Sequence, residues 1–288
     1  MNRRFTAAIA ALTVAFFTCE SPSAQDTDDS EKADRELEVS IVSKAEPLDR
    51  DDLRSLAGIA SRRLLQDATL DRVTRKMSSG LTSFETRWVE RIFNSYRQKA
   101  RLPDETFNFL VEFMTRFADR SYVAADVLQT LPAEDEQRSI ALSALAEAFT
   151  DELSDKYTTY VIAYIERFDR NGPLNRDAVS AVASVAASSR PYMVRARAMK
   201  LVKIHETLPA ERQAIYASLL RSLSSDDDPT LEHALDYNNV GSSTPHPYEM
   251  MVEFSPRPYR PELIEFLVKD FRIHTALALP VFAEFSQH

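Results

Sequence analysis

The chain has 288 residues, of which 44% are hydrophobic, so it is long enough and apolar enough to bury a sizeable core. It carries 35 Lys and Arg against 44 Asp and Glu, a formal net charge of −9, which is the opposite of the balance typical of nucleic-acid-binding proteins. Only four glycines are present, far apart, so a dinucleotide-binding glycine motif, a P-loop and a GxSxG nucleophile elbow are all excluded.

Residues 1–24 have the pattern of a secretory signal peptide. Two arginines near the amino terminus precede an uncharged apolar run of 13 residues, Phe5–Phe17, and small residues follow. This run is shorter than the about 20 residues that a membrane span needs. We therefore expect export of a soluble chain, to the periplasm or the medium, with no transmembrane segment. Cys19 is the only cysteine and leaves open a lipid anchor, which the residues just before it disfavour.

Residues 25–47 have the composition of a flexible acidic linker. They hold eight acidic residues, three basic ones and no aromatic residue. Such a stretch has too little apolar surface to offset the entropy lost on ordering. The sequence therefore predicts a solvated spacer before the folded domain.

Residues 48–288 form the predicted helical domain. Apolar residues recur there every three or four positions, as in Phe84, Trp88, Ile92 and Tyr96, and no run alternates as a strand would. A capping box at Thr82 is typical of a helix start. The sequence therefore predicts an all-α fold.

Proline marks several of the predicted helix starts. Pro103, Pro132 and Pro209 each follow a leucine, and an acidic residue comes one or two positions later, a pattern that favours the first turn of a helix. The pentapeptide Thr-Leu-Pro-Ala-Glu occurs at Thr130 and again at Thr207, 77 residues later. That spacing resembles two units of the ~40-residue helical repeats of the HEAT and armadillo kind. Two architectures stay open: stacked antiparallel helix pairs in a HEAT-like α-solenoid, or an irregular helical bundle.

The segment 229–261 interrupts the helical pattern. It holds six of the 14 prolines, and apart from one short helix behind Pro229 it is predicted to be irregular. Long irregular segments in compact domains are often functional, and aromatic side chains suit recognition. Its candidate binding residues are Tyr237, His246, Tyr248, Phe254 and Tyr259. The alternative is that these aromatics cover the end of the helical stack.

A second candidate binding surface is a basic helix face. Arg197, Lys200 and Lys203 fall opposite the apolar stripe of their predicted helix. In an acidic chain such a face could attract an anionic partner, although a solvated face is the simpler interpretation.

The sequence predicts no metal site, no cofactor and no catalytic residue. The loop Asp169–Asp177 resembles an EF-hand in part, but Pro173 replaces a ligand and Ala178 replaces the bidentate acid. A helix–turn–helix corner, with Asn175 capping the second helix, explains it better. None of the five histidines has a Glu three residues before it, and no HExxH motif is present.

These patterns favour an exported helical protein that acts as a non-catalytic protein-binding or scaffold module. The expected partner is a protein, and no nucleic-acid partner is expected. Two alternatives remain: a secreted effector that acts on a host protein, and a hydrolytic enzyme with its site around 237–259.

Overall fold

The computed structural model of the chain describes residues 24–116, 122–150, 152–224, 229–235, 244–257, 259, 261–269, 281 and 283. This part of the chain contains helices and no strand, which confirms the all-α prediction. The helices are α1 Ala24–Val42, α2 Arg50–Arg62, α3 Asp67–Ser79, α4 Ser83–Arg97, α5 Asp104–Arg116, α6 Tyr122–Leu128, α7 Glu136–Glu147, α8 Asp155–Arg170, α9 Arg176–Ala187, α10 Tyr192–Val202, α11 Pro209–Leu223, α12 Pro229–Leu235, α13 Pro247–Phe254 and α14 Pro261–Lys269.

The main helix contacts join elements that are one or two places apart in the chain. Helices α2, α4, α6, α8, α10 and α12 pack successively on one another, and so do α3, α5, α7, α9, α11 and α13. The two rows are joined by pairs such as α5 with α6 and α9 with α10. This is the contact pattern of helix pairs stacked in a row, with a continuous apolar core between the rows.

Several helix starts follow the predicted caps. The Thr82 hydroxyl accepts from the Glu85 backbone N–H, and the Glu85 carboxylate accepts from the Thr82 N–H at 2.7 Å. Pro209 is the first residue of α11. The prediction is wrong at Pro132, because α7 begins only at Glu136. The reason is a better cap: the Asp135 carboxylate accepts from the second N–H of the helix at 2.9 Å. The repeated pentapeptide is therefore not a structural repeat.

Basic side chains cap several helix ends in the described part of the chain. Among the described residues, only Gly80 and Gly172 have a positive φ, so left-handed glycine caps are scarce. Cationic side chains suit the negative end of the helix dipole and satisfy its free carbonyls. Arg72 donates to carbonyls after α1, Lys99 to those ending α2, and Arg138 to Gln129 and Phe168 at the ends of α6 and α8.

Residues 25–47, predicted to be a flexible linker, are mostly helical. Helix α1 buries Asp34, Glu38 and Ile41 on one face. Asp34 accepts two hydrogen bonds from the Arg62 guanidinium, at 2.6 and 2.8 Å, and Glu38 pairs with Arg63. Composition was misleading here because two of the acids, Asp34 and Glu38, pair with arginines at the end of α2, which are distant in the sequence.

The segment 229–261 is also more regular than predicted. The prediction of a short helix behind Pro229 is confirmed by α12, and α14 begins at Pro261, where the irregular segment was expected to end, but α13 lies where irregular backbone was expected. Proline occupies the first position of all three helices, where its missing N–H costs nothing. The prolines therefore begin helices here and do not break them. Tyr237 lies outside the described residues.

Candidate binding surfaces

The aromatic candidates around α13 are buried. Tyr248 is 4%, Phe254 1% and Tyr259 6% exposed, and the His246 ring stacks on Tyr248 with centroids 5.5 Å apart. His246 caps α13 by accepting from the Tyr248 N–H. Side chains buried in this way hold the end of the stack together and offer no contact area to a partner. Their burial therefore favours the covering alternative over recognition.

The basic face of α10 is largely engaged within the molecule. Arg197 forms a bidentate pair with Glu166 of α8, at 2.7 and 3.0 Å. Lys203 contacts Glu249 of α13 at 3.2 Å. Lys200 is exposed, and in the part of the chain that the structure describes it forms no such pair. These cations join neighbouring helices, so the α10 face presents little free charge.

The loop that resembles an EF-hand is a helix–turn–helix corner, as predicted. Helix α8 ends at Arg170 with Asn171 as its C-cap, and the Asn175 side chain caps α9 by accepting from the Ala178 N–H at 2.9 Å. The Asp169 carboxylate, at the position of the first calcium ligand of an EF-hand, contacts His205 at 2.9 Å. Within the described ranges, no group of three or more His, Cys, Asp or Glu is placed to hold a metal ion.

A cleft of about 490 Å³ lies between α11 and α13. Its lining mixes apolar residues with two arginines. Arg212 donates to the Glu253 backbone carbonyl and lies 5.1 Å from the Phe254 ring. Arg257 lies over the Tyr259 ring at 4.0 Å. The charged groups of this cleft are therefore engaged by its own walls.

The most exposed candidate surface is one that the sequence analysis missed. It consists of Arg50 and Arg54 on α2 and Phe84, Arg87 and Arg91 on α4, all exposed, and we call it the α2–α4 arginine face. Spacings of i, i+4 on α2 and i, i+3, i+7 on α4 place each set on one side of its helix. Phe84 is 58% exposed, among the highest values for a large apolar residue in the described chain.

Two contacts fix the alignment of these helices. The Arg50 guanidinium lies 4.7 Å from the centre of the Phe84 ring, near the start of both helices. Near their ends, the Lys99 ammonium donates to the Ala60 carbonyl at 2.6 Å. Helices α2 and α4 therefore run side by side in the same direction. With a rise of 1.5 Å per residue, the arginine face extends about 10 Å along them.

The arginines of this face lack the partners that several basic residues around them have. Arg62 pairs with Asp34, Arg63 with Glu38 and Lys76 with Glu85, and Arg72 and Lys99 donate to helix-end carbonyls. In the described part of the chain, Arg54, Arg87 and Arg91 form no ion pair.

Glu90 is the acid next to this face on α4. Burial, and then the negative charge of Asp126 on α6, raise the pKa of Glu90, while Arg167 and Arg87 act in the opposite sense. Glu90 is half-buried and lies among Asp126 and Arg167, which pair at 2.7 Å. The negative charge of Glu90 therefore offsets the positive charge of the exposed arginines only in part.

A charge count over shorter windows could have found the face. Residues 50–101 hold twelve Lys and Arg against six Asp and Glu, although the whole chain is acidic. The net charge of −9 concealed this segregation. Helical periodicity alone could not show which of the twelve are used as caps and pairs, because those partners lie on other helices.

No protein-family model, curated protein or solved structure matches the chain. Across the described helices, none combines the length and apolarity needed to cross a bilayer.

Proposed function

We propose that the chain is an exported, non-catalytic scaffold that binds a protein partner through the α2–α4 arginine face. The export step rests on the signal-like pattern of residues 1–24, with its Phe5–Phe17 apolar run. The single observation that supports binding is the exposure of Arg54, Arg87 and Arg91 beside Phe84, with no ion pair among the described residues.

Residue types at this face match those enriched in protein interfaces. Arginine and aromatic residues are over-represented at interface centres and among the side chains that dominate affinity. Helices α2 and α4 hold them on a packed frame with fully buried core residues such as Leu56 and Ile92. A rigid frame lowers the conformational entropy lost on binding.

The binding proposal is preferred to a hydrolytic site around 237–259. Within that segment, Tyr248 and Phe254 are buried side chains that pack in the core and do not face a substrate. A secreted effector that acts on a host protein remains compatible with a binding face and differs only in the identity of the partner.

Site-specific photocrosslinking in cells that natively export the protein tests this function. A benzoylphenylalanine in place of Phe84 should give one discrete protein adduct. The matched control replaces Ile140 on α7, which is 45% exposed and lies away from the face. Equal labelling from both positions, or no adduct from position 84, would contradict the proposal.

A further inference from the structure

We infer that the segment seated on the α2–α4 arginine face is a short acidic stretch of a partner protein. This inference rests on the proposed function and names the chemistry of its partner. It follows from the charge, spacing and apolar content of the face.

The positive charge of the face favours carboxylates as its ligands. Arg50, Arg54, Arg87 and Arg91 present four guanidinium groups, and none of them forms an ion pair within the described chain. A guanidinium donates two parallel hydrogen bonds to one carboxylate, which a lysine ammonium cannot do. An acidic segment would satisfy donors that the molecule itself leaves to water.

The spacing of the arginines suits a short peptide. Arg50 and Arg54 lie about 6 Å apart along α2, as do Arg87 and Arg91 along α4. Carboxylates on alternate residues of an extended strand are about 6.6 Å apart, and those at i and i+4 of a helix about 6 Å. Either form of a segment of roughly four to eight residues would therefore match the arginine face.

The apolar content of the face distinguishes a peptide from a membrane or a nucleic acid. Phe84 is the large exposed ring, and Trp88 beside it is half-buried. One ring is far less than the apolar stripe with which an interfacial helix enters a bilayer. Nucleic-acid binders typically contact about 6–10 phosphates along a longer track than about 10 Å. An acidic segment that carries one apolar side chain would fit both the ring and the guanidinium groups.

Fluorescence anisotropy with the mature full-length chain tests the inference. The probe is a labelled decapeptide of Glu and Asp with one central Leu, and its Gln/Asn counterpart is the neutral control. We expect the acidic peptide to bind at least about tenfold more tightly, with affinity that falls as salt rises. The double variant Arg54→Gln/Arg87→Gln should weaken binding at least about tenfold.

Matched variants separate the face from general charge. Arg75 on α3 is also exposed and forms no ion pair within the described residues, so Arg75→Gln should change the affinity less than about twofold. The charge-preserving variant Arg54→Lys/Arg87→Lys should still weaken binding several-fold, because the bidentate geometry is lost. Circular dichroism of each variant checks that the fold is retained.

Two competing ligands complete the test. A 20-nucleotide single-stranded DNA and vesicles of phosphatidylcholine and phosphatidylglycerol are titrated against the same variants. The inference is overturned if either binds this face more tightly than the acidic peptide, or if Arg54→Gln/Arg87→Gln binds the peptide like the unmodified chain. A crosslinked adduct at position 84 without acidic-peptide binding would refute this inference alone and leave the proposed function standing.

Discussion

Replacing Glu38 tests whether α1 is a docked helix or a spacer. Glu38 is fully buried, and its carboxylate accepts from the Gln66 backbone N–H at 2.8 Å and from the Thr69 hydroxyl at 2.5 Å. It also pairs with Arg63. Gln66 precedes α3 and provides no side-chain cap of its own. The carboxylate of α1 therefore caps the first turn of α3.

The expected loss is large because Glu38→Ala leaves several groups without partners. The Arg63 guanidinium is mostly buried, with 15% of its side chain exposed, and breaking a buried ion pair on one side costs about 3–5 kcal/mol. Glu38→Gln keeps one acceptor for α3 but removes the charge, so we expect an intermediate loss. The control Glu36→Ala changes an exposed acid of the same helix and should shift the free energy of unfolding by less than about 0.5 kcal/mol.

Urea unfolding at neutral pH measures these differences, and limited proteolysis of residues 24–47 reports where the loss occurs. Glu38→Ala should lower the urea midpoint and expose α1 to cleavage before global unfolding. If Glu38→Ala and Glu36→Ala have the same midpoint and the same cleavage rate, then α1 does not dock and the spacer interpretation was right.

Further predictions concern other buried groups and export. Arg138→Met should cost on the order of 3 kcal/mol in thermal or urea unfolding, since it leaves helix-end carbonyls without donors. Burial raises the pKa of Glu85, but the hydrogen bonds with Lys76 and Thr82 outweigh it, so the pKa is lowered overall. The contribution of Glu85 to the free energy of unfolding is therefore lost as pH falls through that pKa. Glu85→Gln should destabilise the fold by about 1–2 kcal/mol at pH 7. The pKa of Glu90 is raised, so Glu90→Gln should be neutral or stabilising at pH 7 in the same assay. Tyr248→Ala should destabilise the fold by about 3–5 kcal/mol, and an unchanged unfolding midpoint would contradict the burial of this side chain. Amino-terminal sequencing of native protein should show that the first ~20–25 residues are gone.

The helical fold was predictable because its signals are local. Periodic apolar stripes and the Thr82 capping box depend on residues within one or two turns of each other. The errors arose where a partner distant in sequence decided the outcome. The acids of α1 look like a solvated run until Arg62 and Arg63 are placed against them. Pro247 looks like a helix breaker until His246 is seen to cap the helix that it begins.

The candidate surfaces were harder to predict for the same reason. Arg197 lies on the face that helical periodicity assigned to solvent, yet Glu166 on another helix holds it in a bidentate pair. In the sequence, Arg54 and Arg91 cannot be told apart from neighbouring arginines that form ion pairs. The packed structure shows that they form none with the described residues. Whether a surface arginine is available for binding is therefore a property of the tertiary contacts.

The scarcity of glycine gives many arginines a structural role in this molecule, so arginines without such a role indicate a candidate binding surface. With few left-handed glycine caps, helix ends depend on cationic side chains such as Arg72, Lys99 and Arg138. Arginine is thus a structural residue throughout most of the chain, and its presence alone says little about binding. The α2–α4 arginine face differs from these caps. Its like charges repel one another, and Phe84 beside them is exposed to water. Within the described residues its arginines form no ion pair that would offset these costs. Apart from the contact of Arg50 with the Phe84 ring, these side chains make no ion pair in the part of the chain that the structure describes, which supports the proposal that they bind a partner.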